Sequence, residues 1–178
     1  MAIDDTGPRP ARFAFMRSHP AHWVALGFGS GLAPRAPGTV GTLWAWAAFV
    51  VLDVWLDDAA WAWAIAGAFV VGWWACTLTA RHLRVADPGQ IVWDEVLGFW
   101  IVLWLWMPAG LAAQALAFAL FRLFDAVKRG PVGWTDRQFK LRGGEAIGWR
   151  QGFGILADDL VAALLTLLVL AAGTALWR

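Results

Sequence analysis

The sequence has no tyrosine and a single cysteine among 178 residues. One thiol cannot build a disulfide framework, and Cys76, set inside an apolar run, reads as a buried, inert side chain. Charge is scarce as well: Asp, Glu, Lys and Arg make up 15% of the chain, against roughly 25% in soluble domains. The net charge is only +1, so no strong field favours nucleic acid or another polyanion as a partner. The first residues lack a basic stretch followed by a short apolar run and a small-residue cleavage site, so no signal peptide is expected. No internal repeat or low-complexity tract is visible. What the chain has in quantity is hydrocarbon: 60% hydrophobic residues, with 15 Trp and 11 Phe.

The length allows one domain. Residues 1–22 are polar and contain Pro and Arg, and read as a flexible N-terminal segment; residues 23–178 read as the domain. Five apolar stretches predict an all-α, membrane-embedded bundle: Pro37–Leu56, Trp61–Ala80, Val96–Met107, Gly110–Phe121 (extending to Val127) and Leu160–Trp177. Trp61–Ala80 and Leu160–Trp177 are apolar all round and near the roughly 20 residues that a bilayer requires. Pro108-Ala109-Gly110 is turn chemistry and separates the third helix from the fourth.

Five alternating passes put Arg9, Arg12, Arg17, Arg35, Arg81, Arg84, Arg122, Lys128, Arg129, Arg137, Lys140, Arg142 and Arg150 on one side and leave Arg178 opposite. The excess of Lys and Arg makes that side cytoplasmic. Every polar stretch that suggests chemistry falls on the same side.

There are four such stretches. Gly27–Thr42, GFGSGLAPRAPGTVGT, is a glycine-rich loop running into a helix, where backbone N–H groups and the helix end favour an anion. Gly29, Ser30, Gly31, Gly38, Thr39 and Thr42 are its candidate phosphate-binding residues, with Thr39 or Thr42 as the helix cap. The pattern matches neither a Walker A loop nor a dinucleotide fingerprint. In the second, Asp94 and Glu95 open the third helix. One acid there is explained by the helix dipole, but adjacent acids diverge by about 100°, so one of them faces the bundle interior. In the third, Arg122, Asp125 and Lys128 follow at i, i+3 and i+6, so each neighbours the next on one helix face. In the fourth, Asp158 and Asp159 stand at the front of the last apolar helix, repeating the arrangement at Asp94 and Glu95.

Two acid pairs brought to one face would repel each other. A hard divalent cation relieves that repulsion, and Mg²⁺ prefers carboxylate oxygen. The expected metal ligands are therefore Asp94, Glu95, Asp158 and Asp159. Asp125 is a further ligand or orients Lys128, and Arg122 and Lys128 are expected to neutralise a phosphate. No Cys-x5-Arg motif exists, and His19, His22 and His82 fall outside all four stretches, so the pattern points to metal-assisted phosphoryl chemistry rather than a thiol or imidazole nucleophile. A rival reading makes the same acids the ion path of a cation transporter or channel component. That path would want acids at mid-membrane depth, whereas these gather on one face.

The four stretches GFGSGLAPRAPGTVGT, IVWDEVLG, FRLFDAVKRGPVGWTDR and GFGILADDLVAA, in this order and spacing, resemble those of the bacterial phosphatidylglycerophosphatase A family, from about His22 to Ala172. The resemblance implies an Mg²⁺-dependent lipid phosphatase that converts phosphatidylglycerophosphate to phosphatidylglycerol. It also implies a multi-pass location in the bacterial inner membrane and an all-helical bundle. This chain departs from the family at Lys128-Arg129-Gly130-Pro131, where the family tends to have Lys-Pro-x-Pro, and in a longer stretch from Arg137 to Gly152.

Overall fold

The computed structural model describes residues 7–127, 130–139 and 146–176. It is all-helical, with no strand among the described residues. The helices are α1 (Phe13–Arg17), α2 (Pro20–Ala25), α3 (Pro37–Leu52), α4 (Asp58–Leu83), α5 (Trp93–Trp106), α6 (Leu111–Val127), α7 (Gly130–Phe139) and α8 (Trp149–Leu176), and a 3₁₀ turn spans Gly27–Leu32. The core lies where α5 packs on α8, with α3, α4 and α6 around them.

Small residues set how closely these helices approach. On α3, Gly38, Gly41, Thr42 and Ala45 form a buried stripe at helical spacing. A β-carbon on Gly41 would strike Val92, and one on Gly72 of α4 would strike the Trp93 indole. Several indoles fill the core rather than an interface belt, with their N–H groups satisfied. Trp93 donates to Ala68 O at 2.9 Å, Trp100 to Ala45 O at 2.9 Å, and Trp61 to Asp53 Oδ1 at 2.9 Å. Cys76 is fully buried, as expected.

Several expectations change. Two helices, α4 with 26 residues and α8 with 28, are long and apolar enough to cross a bilayer, rather than about five. The shorter α3, α5 and α6 have 16, 14 and 17 residues. The last helix begins at Trp149, well ahead of Leu160, because Gly152 and Gly154 let its first turns sit against Thr77 and Phe139. The basic link after α6 is not all loop: it contains α7, which packs on α8. Residues 7–22, expected to be flexible, carry α1, buried at Met16, and the start of α2. His22 Nε2 lies 2.9 Å from His82 Nδ1, and His22 Nδ1 lies 2.9 Å from Phe15 O, so the imidazoles help fasten α1 and α2 to α4.

Candidate active site

A cleft of about 290 Å³ opens at the end of the bundle where α3 and α5 begin and α6 ends, beside the second and third turns of α8. Its walls carry Gly38 from α3, Asp87 from the loop before α5, and Asp94 and Glu95 from the first turn of α5. Arg122 and Asp125 from α6 and Asp158 and Asp159 from α8 complete it. Six acids and one arginine thus converge from four segments that the sequence separates widely.

Asp94, Glu95 and Asp159 each offer an oxygen within 4.8 Å of the others. Asp94 Oδ1, Glu95 Oε2 and Asp159 Oδ2 are buried without a hydrogen-bond partner. Unpartnered anionic oxygens out of water are costly, and three carboxylates gathered together more so. The donor set is oxygen only, which suits a hard divalent cation.

Arg122 is the counter-charge. Its guanidinium makes an ion pair with Asp125 one turn away, lies 3.4 Å from Glu95 Oε1, and donates to Thr42 Oγ1 at 3.4 Å. Thr42 is buried and in turn donates to Gly38 O at 2.8 Å. Gly38 has no room for a side chain, since a β-carbon there would fall on Glu95 Oε1 and crowd the Arg122 guanidinium. The small residue therefore brings the α3 backbone up to the ion-pair network.

The structure separates residues that the sequence grouped. Gly38 and Arg122 line the cleft and Thr42 sits behind them, but Gly29, Ser30 and Gly31 are not among its lining residues. They belong to the 3₁₀ turn, where Ser30 Oγ donates to Gly27 O at 2.8 Å and Gly31 packs against Gln90 O. Thr39 is half-buried and, like Thr42, does not cap α3. That helix starts at Pro37, whose fixed φ suits a first turn, behind Ala36 in the left-handed region. Asp158 is buried in the cleft wall next to Asp159 but falls outside the three-carboxylate group. Neither is at a helix front: both lie in the third turn of α8, beyond the reach of its dipole. Lys128 lies outside the described residues. Sequence reasoning missed Asp87, taken only as the opening of the Asp87-Pro88-Gly89 turn. The signal was there, because that turn is short enough to fold the acid back towards Asp94.

A model of the family described as Phosphatidylglycerophosphatase A matches residues 23–174. The chain belongs to this family. It is 35% identical over 163 residues to phosphatidylglycerophosphatase A of Escherichia coli strain K12, covering 88% of this chain and 84% of that one. It is 37% identical over 158 residues to phosphatidylglycerophosphatase A of Haemophilus influenzae strain Rd, covering 85% and 86%. A Bacteroides thetaiotaomicron protein provisionally named a phosphatidylinositol-3-phosphatase is 32% identical over 159 residues, covering 83% and 89%. No solved structure matches the chain. The family match includes every cleft residue named above.

Proposed function

We propose that this chain is a phosphatidylglycerophosphatase: it hydrolyses the terminal phosphate of phosphatidylglycerophosphate and releases phosphatidylglycerol and phosphate. The observation that carries the reading is the group of Asp94, Glu95 and Asp159 with unpartnered oxygens, beside Arg122, in a chain of this family. Relatives that bear the enzyme's name over most of their length support it.

The acids pose an electrostatic problem for an anionic substrate, which must come to a cleft holding six carboxylates. Asp94, Glu95 and Asp159 would hold Mg²⁺, with Asp158 alongside, and Asp125, expected as a further ligand or as the partner of Lys128, would instead fix Arg122 through their ion pair. When bound, the cation polarises a phosphoryl oxygen and orients water. Arg122 adds the positive charge that the chain itself supplies, and its hold on Glu95, Asp125 and Thr42 fixes the guanidinium before substrate arrives. Water is the nucleophile in this reading. Its oxygen bonds to phosphorus, the bond from phosphorus to the glycerol oxygen breaks, and that oxygen leaves with a proton. Lys128 is proposed as a second cation for the phosphate.

Insertion in the bacterial inner membrane, multi-pass and with the cleft facing the cytoplasm, belongs to the same proposal. The two long apolar helices support it, as do the outward-facing Val50, Trp63, Val70, Leu116, Leu164 and Leu168.

Purified protein is expected to release phosphate from phosphatidylglycerophosphate with Mg²⁺ and to stop in excess chelator, with recovery on adding Mg²⁺ back. Full turnover in the chelator would remove the cation from the proposal, and no release under either condition would remove the phosphatase.

A cysteine placed at exposed Gln90 or Gln138 should react with a membrane-impermeant thiol reagent only after the inner membrane is opened. The native Cys76 is buried and should give little background. Labelling in intact spheroplasts would reverse the orientation.

A further inference from the structure

A second hollow, of about 540 Å³, takes no part in the chemistry above. One wall is α3, through Trp44, Ala48 and Val51, and the other is α5, through Trp93 and Trp100, with Phe28 of the 3₁₀ turn at one end. The α3 residues recur at i, i+4 and i+7 and so form one face, about 10 Å long. The indole N–H groups of Trp93 and Trp100 are already donated to Ala68 O and Ala45 O, so these rings offer only carbon to the groove.

Two observations connect the groove to the cleft. Trp93 in the groove and Asp94 in the cleft are consecutive on α5, and Gly38 and Trp44 lie six residues apart on α3, about 9 Å along its axis. Phe28 stands at the groove end with φ 54° and ψ 29°, a conformation that is unfavourable for a bulky residue. What the backbone holds there is a half-exposed phenyl ring, stacked 5.4 Å from Trp44 and edge-on to Trp93 at 6.2 Å. An apolar channel that starts one residue from a phosphate-handling carboxylate suits a molecule with an anionic head and a hydrocarbon tail.

The geometry points to the α3–α5 groove as the seat of one acyl chain of the lipid phosphate while its phosphate lies in the cleft. This rests on the lipid-phosphatase reading, whose phosphate end it extends to the hydrocarbon. The groove then contributes selection for diacyl lipids over water-soluble phosphate esters.

The test uses the full chain in detergent and a diacyl lipid phosphate carrying a diazirine midway along one chain. Cross-links mapped by mass spectrometry are expected on α3 between Ala47 and Leu52. A dihexanoyl lipid phosphate should reduce them at least about ten-fold, and phosphatidylcholine at the same concentration should not. Equal displacement by both would mean an ordinary surrounding lipid and would overturn the proposal, as would cross-links confined to other helices or joining two copies of the chain. Ala47→Trp, at an exposed α3 position lining the groove, should lower the yield at least about five-fold by filling the space, and an unchanged yield in folded variant would also overturn it. If that variant fails to fold, the mapping on the parent protein decides alone. Phosphate release is measured in the same samples. Release without α3 cross-links sinks the groove and leaves the phosphatase; specific cross-links without release do the reverse.

Discussion

Asp94→Asn and Asp159→Asn are each expected to lower kcat at least about 100-fold, the scale of losing one electrostatic catalytic group. The change is nearly isosteric, so the packing of α5 on α8 should survive. Removing one negative charge from a group of mutually repelling carboxylates should not reduce the folded yield in detergent, and on electrostatic grounds should raise it. The two effects therefore run in opposite directions, which separates a catalytic role from a structural one. Steady-state phosphate release and a thermal melt on the same preparations make the comparison. A kcat within a few-fold of the parent for both variants would reduce these acids to helix decoration. That outcome is hard to reconcile with Asp159, which sits in the third turn of its helix where no dipole accounts for it.

Arg122→Met should be damaging in both measurements. Methionine keeps much of the length and the apolar stem but removes the charge that faces Glu95 and Asp125, which are largely buried. Removing one partner from a buried ion pair costs about 3–5 kcal/mol, because the other charge stays behind. For a chain of this size that is a fall in Tm of roughly 6–20 °C. Activity should fall by at least about 100-fold, since the only described cation lining the cleft is gone. Arg122→Lys keeps the charge but cannot span Glu95, Asp125 and Thr42 with one planar fork, and should recover part of the stability and less of the rate. An Arg122→Met protein with the melting temperature and kcat/KM of the parent would show that the network is incidental.

Much of this site was legible in the sequence because its chemistry is local. Acids beside an apolar run have few explanations, and the i, i+3 spacing of Arg122 and Asp125 fixes their ion pair before any tertiary contact is known. The helical class and the division at Pro108 followed from apolar run length and turn chemistry in the same way. What was not legible depends on packing between distant segments. Nothing near Gly29, Ser30 and Gly31 says whether their loop faces a ligand or the body of the protein, and contacts with Gly27 and Gln90 decide for the latter. Gly38 looked like one more loop glycine. Its place against Glu95 and Arg122 comes from the way α3 crosses α5. The start of α8 was missed because hydropathy marks only its apolar part, while its first turns are held by Thr77 and Phe139. The count of helices long enough to span was overestimated for a related reason: apolar runs of 14 to 17 residues look alike whether they face lipid or the rest of the bundle.

In the proposed membrane-inserted state, the shortness of α5 bears on the bilayer around it. Fourteen residues make a helix about 21 Å long, while the hydrocarbon layer of a bilayer is about 30 Å thick. If the Pro108 turn lies at the outer surface, Asp94 and Glu95 stop several ångströms below the inner one, in a recess ringed by longer helices. A lipid headgroup floats at the surface, so substrate and carboxylates start at different depths. The mismatch is closed either by the lipid sinking into the cleft or by the leaflet thinning around the short helix. Bilayer thickness thereby becomes a variable of the reaction: thinner membranes should bring the phosphate down to the carboxylates with less work.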